Sequence, residues 1–184
     1  RWGADATSLA AIQRLGDSKT RVVVAGQQPA LLAGPLLVLY KTLAAIRLCT
    51  QLEERHHDLR FVPVFWVASE DHDFDEVRRA LWAGHNGLQE GVLFSSREAA
   101  PGAMVGRLPT KELLPILIEN IDSSTLKTEF HSEVLEQLKR AYGGGADFET
   151  GFCRLVRALL AGTGLVVVSP RMEWARRRSA PILA

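Results

Sequence analysis

The densest group of ionisable side chains lies at residues 69–76, which read Ser-Glu-Asp-His-Asp-Phe-Asp-Glu. Five of the seven residues from Glu70 to Glu76 are acidic. Mutual repulsion among crowded carboxylates favours protonation of one of them and of a neighbouring histidine, and such groups serve as general acids and bases. The same cluster attracts an ammonium group or a divalent cation. We therefore predict catalytic roles for Glu70, Asp71, His72 and Asp73.

This acidic loop (residues 69–76) also has a purely structural interpretation. Asp73 can cap a following helix, and acidic residues in a first helical turn interact favourably with the helix dipole. We assign the helix-stabilising role to Asp75 and Glu76, and we leave the four preceding charged residues for chemistry. Ser69, which opens the loop, is predicted to bind substrate.

A second candidate site is the glutamine loop, defined as residues 26–35, which read Gly-Gln-Gln-Pro-Ala-Leu-Leu-Ala-Gly-Pro. Glycines let a backbone approach a ligand closely, and a helix N-terminus offers free N–H groups to phosphate or carboxylate. The pattern is neither a P-loop nor the glycine-rich dinucleotide motif, and an ordinary turn with a solvated lysine beyond it explains the same residues. The residues that we predict to bind substrate or nucleotide here are Gly26, Gln27, Gln28, Gly34, Pro35 and Lys41.

The elements around both loops predict an α/β fold. Residues 21–25 and 61–68 are apolar runs typical of buried strands, and residues 35–55 have the apolar spacing of a helix. A strand, a helix and a strand form a right-handed unit with parallel strands, so the loops after both strands meet at one edge of the sheet. We expect the glutamine loop and the acidic loop to be neighbours there.

Other segments extend this pattern. We expect helices near residues 8–15, 112–121 and 126–142, a helix capped by Asp147, and short strands at 79–83 and 91–95. Residues 165–169 repeat the composition of the first strand. Arg171, which follows them, is expected on the surface or at the ligand edge. Together these elements predict a doubly wound, Rossmann-like parallel sheet with helices on both faces.

Composition limits the class of protein. The chain has 184 residues, of which 47% are hydrophobic and 23% charged, as expected for one globular domain over residues 1–184. No apolar run reaches the roughly 18 to 20 residues of a membrane-spanning helix. The net charge of +1 gives no general attraction to nucleic acid, and Cys49 and Cys153 lack the spacing of a metal site. We expect a cytoplasmic protein that is part of a longer chain, because the last residues continue a helical pattern.

Two blocks of the sequence resemble the bacillithiol biosynthesis cysteine-adding enzymes, a family of cysteine ligases. They are residues 24–36 with the following Tyr40 and Lys41, and residues 62–77, which contain the acidic loop. Residues 105–109, 150–152 and 164–168 resemble later parts of the same family, and they add Arg107 to the predicted binding residues. The similarity extends from about residue 20 to the end of the chain.

The resemblance implies a Rossmann core akin to nucleotidylyltransferases and class I aminoacyl-tRNA synthetases, with a later coiled coil that makes full-length members homodimers. It implies that the carboxyl group of cysteine is joined to the amine of glucosaminyl malate. ATP is then the predicted cofactor, a metal requirement is left open, and neither nucleic acid nor membrane is a predicted partner. In this reaction the glutamine loop would hold carboxylates or a phosphate, the acidic loop an ammonium group, and His72 or Asp73 would deprotonate the attacking amine.

Two other functions fit the same residues. A nucleotidyl transferase acting on another small molecule would share the core, although its HxGH-like motif is absent after the first strand, where Gln27 and Gln28 stand instead. A noncatalytic ligand-binding domain would need only the cleft between the loops.

Overall fold

The structure, a computed structural model, describes residues 2–92, 103–111 and 114–183. The strands in these ranges are β1 (Thr20–Gln27), β2 (Arg60–Val67), β3 (Arg79–Gly84), β4 (Gly87–Val92) and β5 (Val166–Val168). The α-helices are α1 (Ala6–Arg14), α2 (Leu36–Arg55), α3 (Phe74–Val77), α4 (Leu114–Ser124), α5 (His131–Tyr142), α6 (Phe148–Leu159) and α7 (Glu173–Leu183), and 3-10 turns lie at Leu31–Ala33 and Val105–Arg107. None of the helices in the described ranges combines the length and apolar character needed to span a bilayer.

Strands β1, β2 and β5 form a parallel sheet with β2 in the centre. β1 pairs with β2 from Thr20 to its last residue, Gln27, whereas β5 pairs only with the last part of β2. Pro63 precedes the part of β2 that is paired with β5, so this residue without an N–H group has a strand on one side only. The predicted α/β class and its parallel strand–helix–strand unit are confirmed.

Alternate residues of the sheet face different layers of helices. One face contributes to the main core, whose members include Phe65, Val67, Val167 and, from α2 and α6, Val38 and Phe152. The other face meets α1 in a smaller cluster formed by Ala11, Val62, Val64 and Val166. Helices therefore lie on both faces, as a doubly wound sheet requires.

β3 and β4 form a separate antiparallel hairpin. The strand predicted at 79–83 is confirmed, and His85 and Asn86 form the turn. The prediction of a strand at 91–95 is wrong in its start, because β4 begins at Gly87, and residues 93–95 lie outside the described ranges. Gly87 has a φ of 102°, a conformation that glycine adopts readily, so the chain reverses within two residues and pairs at once.

The prediction of a helix at 126–142 is wrong in its first residues, because α5 begins at His131. The preceding segment folds back onto the end of α4, where Lys127 Nζ donates hydrogen bonds to the carboxylate and the carbonyl O of Asp122. Hydrogen bonds from Lys127 and then His131 lower the pKa of Asp122 to about 2. The other predicted helices are present, with α4 starting at Leu114 beside undescribed residues and Pro35 acting as the N-cap of α2.

Both cysteines lie in the core, and we expect neither to react in the native protein. Burial, and then the charge of Glu53, raise the pKa of the Cys49 thiol to about 11, so only about a thousandth of it is thiolate at pH 8. Cys153 is fully buried. Mass spectrometry of iodoacetamide-treated protein should find both thiols unmodified in buffer and both modified in urea. Modification of either cysteine at the same rate in both conditions would contradict the structure.

Candidate functional site

The loops that follow β1 and β2 lie side by side at the carboxyl edge of the sheet. The amide N–H of Ala68, the first residue after β2, donates to the carbonyl O of Gln27, the last residue of β1, at 3.0 Å. The glutamine loop and the acidic loop start at this point. Their predicted proximity follows from the parallel register of β1 and β2.

Glu76 of α3 joins the two loops. Its Oε2 accepts a hydrogen bond from Gln28 Nε2 at 2.6 Å, and its Oε1 accepts one from Gln27 Nε2 at 3.4 Å. Gln28 is buried and Glu76 is exposed, so the contact lies between the protein interior and solvent. Sequence reasoning gave Glu76 only a helix-stabilising role. The position of Glu76 in the first turn of a helix at the sheet edge indicates this contact, because helical side chains point back towards the N-terminus of their helix.

Lys41 reaches back along α2 to the end of β1. Its Nζ donates to the carbonyl O of Gly26 at 2.9 Å and to Gln27 Oε1 at 3.0 Å. The lysine therefore fixes the orientation of the Gln27 amide, whose Nε2 must face Glu76. Lysine, both glutamines and Glu76 form one hydrogen-bonded network across the two loops.

Two aspartates organise the backbone of the acidic loop. Asp71 Oδ1 accepts hydrogen bonds from the amides of His72 at 2.7 Å and Asp73 at 3.2 Å. Asp73 is the N-cap of α3, because its Oδ1 accepts the amide of Glu76 at 3.2 Å. Glu70 and His72 are exposed, so their side chains face solvent at the ligand edge. Asp73 thus combines its predicted site position with a capping role.

The described residues contain no group of three His, Cys, Asp or Glu side chains arranged to hold a metal ion. We therefore assign no metal ligand within the acidic loop.

The 3-10 turn at Val105–Arg107 closes the far side of the acidic loop. The amide of Val105 donates to the carbonyl O of Asp71 at 3.0 Å, and the amide of Gly106 donates to that of Ser69 at 3.2 Å. A Cβ atom on Gly106 would lie 2.8 Å from Ser69 Cβ, so this close approach requires glycine. Arg107 is held beside the acidic loop with its side chain exposed.

Ser69 is fully buried, and its position corrects the prediction that it binds substrate directly. Its Oγ lies 3.1 Å from the Oγ of Ser169, which follows β5. This hydroxyl contact connects the ends of β2 and β5. Ser69 therefore supports the acidic loop from beneath and does not face the ligand edge.

Arg171 is partly buried and its guanidinium is held by other protein groups, whereas the sequence predicts a solvated surface position or one at the ligand edge. Its Nη1 donates to the carbonyl O of Gly106 at 2.6 Å and to Glu149 Oε2 at 2.5 Å, and its Nη2 donates to Asp147 Oδ2 at 2.9 Å. Burial acts to raise the pKa of Asp147, but hydrogen bonds from Thr150 and Arg171 outweigh it and hold that pKa below its usual value. The network joins three segments that are distant in sequence, which a local pattern does not reveal.

The 3-10 turn within the glutamine loop is held from beneath by Tyr142 of α5. The amide of Leu32 donates to Tyr142 Oη at 3.1 Å. Leu32 and Ala33 have φ values of 55° and 57°, a left-handed conformation that costs about 1–2 kcal/mol per non-glycine residue and so needs support. Burial raises the pKa of Tyr142, which keeps the hydroxyl protonated. Gly151 leaves room for the ring, because a Cβ atom there would lie 2.0 Å from Tyr142 Cδ1.

A cavity of about 550 Å³ opens between the glutamine loop, the start of α2 and the β3–β4 hairpin. Its lining includes Gly34 and Pro35 and is mostly apolar, with Leu36, Leu39 and Leu81 among its side chains. The charged groups in the lining are Glu76, Arg79 and Glu90. The site thus offers apolar contact next to a carboxylate that already binds amide N–H groups.

Glu76→Gln is expected to loosen the contact between the loops. Because Lys41 fixes the Gln27 amide, the new glutamine must turn its Oε1 towards Gln27 and its Nε2 towards Gln28. The Gln28 amide can accept from that Nε2 only by turning over, which places its own Nε2 in the buried position where Oε1 now has no partner. Hydrogen–deuterium exchange should become about tenfold faster in peptides covering residues 26–35 and 69–76. Glu54→Gln, an exposed change on α2, is the matched control and should leave exchange unaltered. Unchanged exchange in the Glu76 variant would show that its two hydrogen bonds do not hold the loops.

Comparison with known proteins identifies the family. The family model described as bacillithiol biosynthesis BshC, N-terminal Rossmann-like domain, matches residues 1–184. A relative from Salinibacter ruber is 35% identical over 170 residues, which cover 92% of this chain and 31% of the relative. Relatives from Chloroherpeton thalassium and Symbiobacterium thermophilum are each 34% identical, and the matches cover 91% and 99% of this chain and 30% and 34% of the relatives.

All three relatives carry the same provisional name, cysteine ligase BshC. The chain spans about a third of their length. The match over all 184 residues agrees with the parallel sheet and its two adjoining ligand-edge loops. This chain belongs to the BshC family of bacillithiol biosynthesis, as its N-terminal Rossmann-like domain.

Proposed function

We propose that this chain is the core of a cysteine ligase that joins the carboxyl group of cysteine to the amine of glucosaminyl malate in an amide bond. The observation that carries the proposal is the contact, through Glu76, of two loops of different polarity at the carboxyl edge of a parallel sheet. Ligands bind in this position in open α/β sheets. The family match and the names of the relatives support the same reaction class.

The acidic loop would receive the amine substrate. Amide formation requires that the attacking amine lose a proton, and a positioned base accelerates this step. His72 is exposed at the ligand edge, whereas Asp73 already uses Oδ1 to cap α3, so His72 is the better candidate for the base. Glu70 and Asp71 would attract the ammonium form of the substrate before it is deprotonated.

The glutamine loop would receive the anionic groups. A lysine ammonium has three N–H donors, and Lys41 uses two of them on Gly26 and Gln27. The third donor is available for a malyl carboxylate or a phosphate near the N-terminus of α2, where unpaired amides also favour an anion. Arg107 lies across the acidic loop and would add a second cation.

ATP is the proposed cofactor, because a carboxylate does not condense with an amine in water without activation. When bound, ATP would convert a carboxylate oxygen of cysteine into a good leaving group. The residues present fit a phosphate group beside Lys41, which retains a donor, and not within the mostly apolar cavity, whose lining lacks Lys41 and includes Glu76 and Glu90. The side chains of the site would bind and orient the reactants and accept the proton.

The proposed setting is the cytoplasm, with small molecules as partners and neither nucleic acid nor membrane involved. A polypeptide of the relatives' length would be a homodimer, formed through a coiled coil outside this chain, which covers about a third of that length.

The decisive experiment assays a polypeptide of the relatives' length that carries this sequence. It is incubated with cysteine and glucosaminyl malate, with and without ATP, and the amide product is measured by mass spectrometry. We expect product with ATP, and a rate about 10²–10⁴-fold lower for His72→Ala. His57→Ala, an exposed histidine beyond α2, is the control and should retain full activity.

Each result of this assay has a definite meaning. Absence of product with and without ATP would contradict the ligase assignment. Full product formation by both His72→Ala and Asp73→Ala would contradict only the assignment of the base. A chain that binds cysteine or glucosaminyl malate in calorimetry but forms no product would be a ligand-binding domain instead.

A further inference from the structure

The two edges of the parallel sheet differ in how well they are covered. At the β5 edge, Val166 and Val167 are buried. At the β1 edge, Val22 and Val24 are 50% and 58% exposed. Parallel sheets normally bury both faces, so exposed β-branched residues mark a region of the sheet that lacks a covering layer.

The exposed residues form one continuous patch. Val22 and Val24 pair in register with Val62 and Val64, which places them on the sheet face that α1 covers only at β2 and β5. Trp66, two residues further along that face of β2, is 39% exposed and extends the patch. A helix lying across this face would cover all three exposed side chains.

The backbone of β1 has no neighbouring strand on one side within the described residues. β1 has eight residues and pairs only with β2, so alternate residues direct their N–H and C=O groups away from the sheet. At the ends of the strand these groups are already bound, at the carbonyl O of Gly26 by Lys41 and at Thr20 by adjacent residues. The central groups, those of Val22 and Val24, are the ones that a further strand would bind. Arg21 is the single charged residue in the strand, which contains no proline. An apolar strand edge without a neighbouring strand is a template for another strand.

The strand order also indicates that a further strand would pair at the β1 edge. β1, β2 and β5 are the first, second and third strands of the sheet in chain order and lie in that order across it. In a Rossmann sheet, with the order 3-2-1-4-5-6, the fourth strand pairs with the free edge of the first. The ligand crevice lies at the junction of these two strands, which is where the glutamine loop leaves β1.

We propose that the free edge of β1 binds one further parallel strand, followed by a helix that covers Val22, Val24 and Trp66. The occupant is a segment of the polypeptide outside the third that this chain represents, since the relatives are about three times as long. The loop after this added strand then forms the second wall of the site, opposite the acidic loop. The proposal depends on the sheet and not on the ligase reaction.

The first test compares Val24→Lys in two proteins. In the 184-residue chain, this exposed position should tolerate lysine with a change in melting temperature of no more than about 2 °C. In a polypeptide of the relatives' length that carries this sequence, the same lysine would be buried, and the melting temperature should fall by about 5 °C or more. Val134→Lys, at a 49% exposed valine of α5, is the matched control and should have a small effect in both proteins.

Amide hydrogen exchange distinguishes between the edges without reference to activity. The amides of β1 should exchange at least about tenfold more slowly in the longer polypeptide than in the 184-residue chain, while those of β5 change little. Slower exchange at β5 alone, or no difference at β1, would overturn the proposal. A second result would also overturn it: the 184-residue chain forms a dimer that Val24→Lys dissociates, and the longer polypeptide shows no added protection at β1. The free edge would then bind a second copy of the chain.

Discussion

Arg171→Ala is expected to destabilise the protein by about 3–5 kcal/mol, because it leaves a buried carboxylate without its partner. Glu149 is 1% exposed, and the guanidinium of Arg171 is its hydrogen-bonding partner. The substitution also removes the hydrogen bonds to Asp147 and to the carbonyl O of Gly106. Urea unfolding followed by circular dichroism measures the free energy change directly.

Two further variants make this result interpretable. Arg177→Ala removes an ion pair with Glu173 in which both side chains are largely exposed, so its effect should be below about 0.5 kcal/mol. Combining Arg171→Met with Glu149→Leu removes both charges and should restore much of the lost stability. If Arg171→Ala cost no more than Arg177→Ala, the buried network would not contribute as the structure indicates.

Gly151→Ala is also expected to destabilise the protein, and the direction of this change in stability distinguishes packing from helix propensity. Alanine favours a helix over glycine by about 1 kcal/mol, so helix propensity alone predicts stabilisation of α6. The structure predicts the opposite, since the new Cβ atom would lie 2.0 Å from the buried ring of Tyr142. Overpacking of this kind costs about 1–3 kcal/mol, and it displaces the hydroxyl that binds the amide of Leu32.

Urea unfolding gives the stability change, and hydrogen exchange in residues 26–35 reports on the glutamine loop. Gly16→Ala is the control, because the nearest atom to its Cβ would be 3.6 Å away, and it should be close to neutral. Tyr142→Phe keeps the ring and removes only the hydroxyl, so it should accelerate loop exchange with a smaller loss of stability, about 1 kcal/mol. A stabilised Gly151→Ala protein would show that the ring moves without cost.

Local patterns in the sequence were sufficient for the elements that build the sheet. β1, α2 and β2 combine β-branched runs and helical spacing with clear boundaries, so their positions were predicted to within a few residues. The start of α5 was missed because a side-chain contact, Lys127 to Asp122, competes with helix formation in the preceding segment. Helical periodicity carries no information about such a contact.

The sequence predicts where the two loops of the site lie but not their side-chain contacts, because local patterns do not report such contacts. The two loops could be placed at one edge from the handedness of the strand–helix–strand unit alone. The contacts of Glu76 with the glutamine loop, of Ser69 with Ser169 and of Arg171 with Gly106 join segments that are far apart in sequence. Residue type and spacing do not encode these contacts.

The connections beneath the acidic loop also set the order in which the domain can fold. Ser69 contacts Ser169 across 100 positions, and Arg171 binds Gly106 across 65. Contacts between such distant residues form slowly, because a long segment must lose its conformational freedom first. β1 and β2 can pair early during synthesis, but the acidic loop reaches its final shape only after β5 has joined the sheet. The acidic loop therefore lacks part of its supporting contacts until Ser169 and Arg171 have been synthesised.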